Sequence, residues 1–199
     1  MSSTKRGGQR SVADFYPTPA FCVTRLLERV PLPGGYWLEP GAGEGALIRA
    51  VDHLRDDVKW RAVELRKECK RGLRKLTKRV TIGSFLSPLP MLRANGKKYR
   101  VALGNPPFRL AMEFVQQGLR SADYVVMLLR LNFIGSVKRS NFFCKHMPDI
   151  YVLPNRPSFA ASGKTDSIEY AWFLWPPKRR RRTGKIELLA TTPPEERKR

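Results

Sequence analysis

Three cysteines and two histidines are all the thiol and imidazole this chain of 199 residues contains. Cys22, Cys69 and Cys144 lie far apart and form no C-x-x-C pair, and His53 and His146 add too few ligands. A disulfide framework and a structural metal site are therefore not expected, and reduced thiols in a cytoplasm are. Long apolar runs are also missing: no stretch approaches the roughly 20 apolar residues of a membrane helix. The basic stretch Met1 to Arg10 is not followed by the apolar segment of a secretory signal, so a soluble, unexported protein is expected. Acidic residues are scarce, 17 Asp and Glu against 38 Lys and Arg, for a formal net charge of +21 and a pI near 10.6. Such an excess repels itself unless it meets a polyanion. Nucleic acid, whose condensed counterions are released on neutralisation, is the first partner to expect, ahead of an anionic membrane.

Length and a 42% hydrophobic content suit one core. Residues 1–13 are polar and basic and read as a flexible arm. Residues 177–199, with Lys178, Arg179 and Arg180 opening a run of five cations, read as a basic tail carrying at most a short strand at Ile186 to Leu189. Between them, strand-like runs alternate with amphipathic helices, the pattern of parallel strands joined by crossover helices. Thr18-Pro19 reads as an N-cap followed by proline at the first helical position. Strands are predicted at Tyr36 to Leu38, Trp60 to Leu65, Val80 to Phe85, Tyr99 to Leu103, Tyr124 to Leu129, Ile150 to Leu153 and Ile168 to Trp175, about seven in all. Helices are predicted after Ala46, over Cys69 to Leu76 and over Leu110 to Leu119.

Three alternating glycines lie between the first strand and its helix, in Leu38-Glu39-Pro40-Gly41-Ala42-Gly43-Glu44-Gly45. Glycine there lets backbone approach a ligand at the carboxyl ends of the strands. The spacing departs from the G-x-G-x-x-G of dinucleotide folds, so a pyrophosphate is not the expected ligand. Glu64 ends the second strand about 20 residues on, where a carboxylate can accept both hydroxyls of a ribose. Together they suggest a nucleoside-like cofactor.

Asn105-Pro106-Pro107-Phe108 follows the fourth strand directly. Two prolines remove two amide donors and hold the loop extended. The Asn105 carboxamide and the Pro106 carbonyl then offer two acceptors for the two hydrogens of one exocyclic amine, and Phe108 offers a face for stacking. That arrangement suits methylation of a planar amine, whose lone pair is otherwise delocalised into the ring, and it needs no strong general base. The plainer alternative is a proline-stiffened turn in which Asn105 caps the next helix.

Over residues 14–176 the sequence resembles amino-group DNA methyltransferases. Asp14-Phe15-Tyr16-Pro17-Thr18-Pro19 is similar to their N-terminal cofactor motif, Leu38 to Gly45 to their glycine motif, Glu64 to their ribose ligand, and Asn105 to Phe108 to the catalytic tetrapeptide of enzymes that make N6-methyladenine. The motif order matches the gamma arrangement. Arg156-Pro157-Ser158-Phe159, Gly163-Lys164-Thr165-Asp166 and Tyr170 to Trp175 resemble the target-base region and final strand of small phage or prophage adenine methyltransferases.

The resemblance implies a class I methyltransferase (Rossmann-like) α/β fold, with a mostly parallel sheet and helices on both faces. It implies S-adenosyl-L-methionine as cofactor, held by Tyr16, Thr18, Pro19, Glu39, Pro40, Gly41, Gly43, Gly45, Glu64, Ser84, Phe85 and Asn105. It implies an adenine-specific DNA methyltransferase of a bacterial or phage-infected cell, a monomer or weak homodimer without metal, in which Asn105, Pro106, Pro107 and Phe108 are catalytic and Phe159 packs on a flipped base. Lys138 and Arg139, read as loop residues, the very basic helix near Lys70 and Arg74, and Lys178, Arg179 and Arg180 would contact phosphates. The family usually has Asp where this chain has Ser84, and its larger members add a recognition domain that these residues do not supply, so short or relaxed specificity is expected. Methylation of RNA or of a protein glutamine amide, and a DNA-binding protein without turnover, are the alternatives.

Overall fold

The computed structural model describes residues 17–87, 94–157, 168–177 and 184–198. In chain order these form α1 (Ala20–Arg29), β1 (Gly35–Pro40), α2 (Ala46–Asp52), β2 (Val58–Glu64), α3 (Lys70–Leu76), β3 (Arg79–Ile82), β4 (Tyr99–Gly104), α4 (Ala111–Ser121), β5 (Ala122–Arg130), α5 (Val137–Lys145), β6 (Asp149–Val152), β7 (Tyr170–Trp175) and β8 (Ile186–Leu188). One eight-stranded sheet runs in the order β3-β2-β1-β4-β5-β7-β6-β8. β7 is antiparallel to both of its neighbours, and every other pairing is parallel. This is the class I methyltransferase, Rossmann-like architecture, with an extra strand at the β6 edge.

The apolar strands explain why the sheet is covered on both faces. In β5 alternate side chains point to opposite sides: Val126 and Leu128 join the core that holds α1 and α2, whereas Val125, Met127 and Leu129 join the core that holds α4 and Phe143 of α5. β7 divides in the same way, with Tyr170, Trp172 and Leu174 on one side and Ala171, Phe173 and Trp175 on the other. Continuous apolar runs are what a strand buried on both faces requires. The indole of Trp172 is fully buried and donates to the Cys22 carbonyl at 2.9 Å, tying β7 to α1.

Several expectations change. Thr18 does not cap α1: the helix starts at Ala20 with Pro19 in the cap position and no side-chain cap, and the Thr18 hydroxyl, one residue further out, accepts from Asn105 instead. β3 stops at Ile82, and Gly83, at φ +155°, still donates its amide to the Glu64 carbonyl at 2.8 Å. Lys138 and Arg139 lie in α5, not in a loop, on a helix whose weak apolar stripe is anchored by Phe143. Residues from Gly184 onward, grouped above with the basic tail, supply β8 beside β6 and a 3-10 turn at Pro194–Lys198, where Glu196 meets Arg25 of α1 at 2.6 Å.

Candidate active site

The strand order reverses between β1 and β4, and a crevice opens at the carboxyl ends of parallel strands at such a point. The glycine turn forms one wall. Gly41, Gly43 and Gly45 all have positive φ, 71°, 56° and 81°, a region costly for residues with a Cβ. The Gly41 and Ala42 amides donate to the Val63 carbonyl at 2.8 and 2.9 Å, locking the turn to the end of β2. Gly45 caps α2, and a Cβ there would come within 2.4 Å of Leu76 Cδ1.

Two buried carboxylates stand at the strand ends. Glu64 Oε2 accepts the Gly43 amide at 2.6 Å, and Oε1 accepts the amide and Nε of Arg66 at 2.9 and 3.1 Å. These bonds hold the carboxylate at the cleft; with about four lone-pair positions it can accept further donors. Glu39 is only 2% exposed, and its Oε2 has no hydrogen-bond partner among the described residues. Burial pushes the Glu39 carboxyl well above the usual range, opposed by the charge of Arg49 and reinforced by that of Glu64.

The other wall comes from β4 and the approach to α1. Gly104 ends β4 where a Cβ would meet Met127 and Pro40, so the Asn105 loop leaves the sheet tightly packed. Asn105 caps no helix; its Nδ2 donates to Thr18 Oγ1 at 3.1 Å across 87 positions of sequence. The Pro107 carbonyl accepts the Leu110 amide at 2.8 Å, whereas among the described residues no amide donates to the Pro106 carbonyl. Pro106 is itself buried and does not line the cleft, so what the prolines leave is a carbonyl without an amide partner among the described residues, next in sequence to an oriented carboxamide.

Between the walls lies a cleft of about 850 Å³ including its open mouth, lined by Thr18, Glu39, Gly41, Glu64, Ser84, Phe85, Asn105 and Pro107 among the expected residues. Ser84 Oγ accepts the Leu86 amide at 3.2 Å, and Phe85 packs against Phe114 with centroids 5.3 Å apart. Pro19, Pro40, Gly43 and Gly45 shape the turns without lining the cleft. Leu65, Arg66, Leu110 and Phe114 line it and were not anticipated; Leu65 and Leu110, 60% and 41% exposed, are apolar side chains at its mouth.

Phe108 lies outside that lining. Its ring packs 5.6 Å from that of Tyr170, and the Arg130 guanidinium sits 4.4 Å above it. Of the expected phosphate contacts, Arg139 covers the Phe133 ring and spends its Nε on the Phe133 carbonyl at 2.7 Å, while Lys138 is exposed. The exposed cations Lys70, Arg71, Arg74 and Lys75 populate α3. Tyr16, Phe159, Lys178, Arg179 and Arg180 lie outside the described residues. Among the described residues no cluster of metal-binding side chains occurs and no helix is long and apolar enough to cross a membrane.

No family model matches the chain, and no curated protein does. Solved structures do. A candidate RNA methyltransferase from Pyrococcus horikoshii superposes with a TM-score of 0.61 at 16% identity, over 88% of this chain and 93% of the other. The 23S rRNA methyltransferase ErmE gives 0.58 at 14% over 83% and 70%, and a candidate class I S-adenosylmethionine-dependent methyltransferase from Listeria monocytogenes 0.56 at 14% over 85% and 61%. At these identities the likeness establishes the class I methyltransferase fold.

Proposed function

We propose that the protein transfers a methyl group from S-adenosylmethionine to the N6 amino group of adenine in DNA. The observation that carries this reading is the pair of acceptors after β4: a carboxamide oriented by Thr18 and a Pro106 carbonyl that no amide occupies among the described residues. The cleft fits the cofactor on its own chemistry. Glu64 would take the ribose hydroxyls, the glycine turn admits close approach, and the unpartnered, buried Glu39 Oε2 calls for a cationic group such as an amino acid ammonium. When bound, the cofactor supplies a methyl group activated by a sulfonium.

Asn105 Oδ1 and the Pro106 carbonyl would each accept one hydrogen of the amine, drawing the nitrogen lone pair out of conjugation and directing it toward the cleft. The same two acceptors stabilise the positive charge that grows on nitrogen, and one of the held protons then leaves to solvent. No side chain need act as a strong base. Flipping brings the base to the loop when the substrate is duplex. The net charge of +21 and the exposed cations of α3 support a nucleic acid over a protein amide. The RNA methyltransferases among the similar folds make RNA the arm against which DNA is tested.

Incubating the protein with cofactor and either unmethylated DNA or RNA, then mapping modified bases, is the deciding experiment. N6-methyladenine in DNA is expected, reduced about 10²- to 10³-fold by Asn105→Ala with DNA binding retained. Methylation confined to RNA would move the substrate, and no transfer to either would refute the reading.

A further inference from the structure

Among the described residues Arg130 is a cation without an anion. It ends β5, is half-buried, and keeps a buried Nε that has no hydrogen-bond partner among the described residues. Among the described residues no carboxylate pairs with it. Glu169, beside its cross-strand partner Tyr170, is committed to Arg156. A charge withdrawn from water without a counter-ion is costly unless a ligand supplies one. What the guanidinium does have is a ring: it lies 4.4 Å over Phe108, next to the pair of acceptors.

We propose that Arg130 captures the phosphodiester next to the target nucleotide, and that in the free protein it is parked on the face of Phe108 that the target base takes over. This rests on the reading of Asn105 to Phe108 as an amine-holding loop. Phe108 has two described partners at its ring. Tyr170 is fully buried within β7 and cannot withdraw, whereas Arg130 stands half-buried at a strand end on a long flexible side chain. The guanidinium is planar and stacks as a base does, so the exchange replaces one flat group by another and leaves the ring covered throughout.

Electrostatics gives the exchange a direction. A guanidinium left beside the amine would oppose the positive charge developing on its nitrogen; seated on a phosphate, it is neutralised. Its fork of donors matches two phosphate oxygens, and the orphaned Nε–H gains an acceptor. Arg130 is then a positioning residue whose phosphate contact is linked to base insertion.

The test uses the full chain, a short labelled single-stranded DNA containing one adenine, and RNA of the same sequence, with affinity followed from about 50 to 200 mM salt. Arg130→Gln removes the charge but keeps length and a planar head; Arg130→Lys keeps the charge. The glutamine variant is expected to bind about tenfold more weakly at low salt, with the slope of log affinity against log salt reduced by about one, and the lysine variant to retain the slope. In turnover the glutamine variant raises KM for nucleic acid and changes kcat little. An unchanged slope, or a fall in kcat at constant KM, overturns the proposal and leaves Arg130 a support for Phe108. No binding of either nucleic acid by the wild type also overturns it. Binding with an Arg130-dependent slope but without methyl transfer would sink the proposed reaction and leave the phosphate contact standing.

Discussion

The two walls of the cleft are built from different materials. The glycine wall, between β1, β2 and β3, is largely backbone: positive-φ turns and amides bonded to the Val63 carbonyl, with the Glu39 and Glu64 carboxylates at the strand ends. The proline wall, from β4 and the approach to α1, is side chain: Asn105 reaching Thr18, and, just outside the cleft lining, Phe108 held between neighbours on β5 and β7 that include Arg130 and Tyr170. A backbone wall is preorganised for a ligand of constant shape. A wall of long side chains can rearrange, which suits a polymer whose base must enter and leave. The contrast predicts that damage to one wall should be felt mainly by one ligand.

Gly45→Ala should show the largest effect on the glycine wall. Its φ of 81° is strained for alanine and its Cβ would displace Leu76, so the fold should lose roughly 1–3 kcal/mol. Thermal unfolding reads the loss, and calorimetry should show weaker cofactor binding with nucleic acid affinity unchanged. Equal weakening of both would merge the walls into one unit.

Glu39→Gln sharpens the comparison through pH. Burial raises the folded-state pKa of this carboxyl above its unfolded value, so the stability it contributes below the ordinary carboxylate range is lost as pH rises through the folded pKa. The variant does not titrate, so without ligand its unfolding temperature should exceed that of the wild type by a margin that widens with pH. With S-adenosylmethionine present the advantage should shrink or reverse, because the glutamine lacks the anion for a cationic ligand. A margin flat in pH would mean that Glu39 titrates alike in folded and unfolded chains.

The two walls also differ in how far the amino acid order disclosed them. Gly41, Gly43 and Gly45 could be read because a strand-to-helix turn with positive φ leaves few residue choices, and Glu64 because its distance from the turn follows from one strand-helix-strand unit. Asn105 and the prolines were visible for the same local reason. Arg130 was not: it closes an apolar run as any strand-end cation does, and its place on Phe108 arises only when β5 pairs antiparallel with β7, 40 residues away by the register Arg130 to Tyr170. The antiparallel sense of β7, the helix over Lys138 and Arg139, and the joining of β8 to β6 depend on the same long-range packing, which local periodicity does not encode.

One bond ties the approach to α1 to the Asn105 loop within the proline wall, and it carries the smallest predicted effect. Thr18 lines the cleft and is only 6% exposed, and its hydroxyl accepts from Asn105 across 87 positions of sequence. Thr18→Val keeps the shape and removes that acceptor, a loss of about 0.5–1.5 kcal/mol. If the bond serves to orient the Asn105 carboxamide, kcat should fall roughly three- to tenfold, the same energy expressed as a rate, and Thr18→Ser should restore it. The alternative outcome is a weaker affinity for S-adenosylmethionine at unchanged kcat. Thr18 would then serve the cofactor alone, and the carboxamide would owe its orientation to the proline-stiffened backbone that follows it.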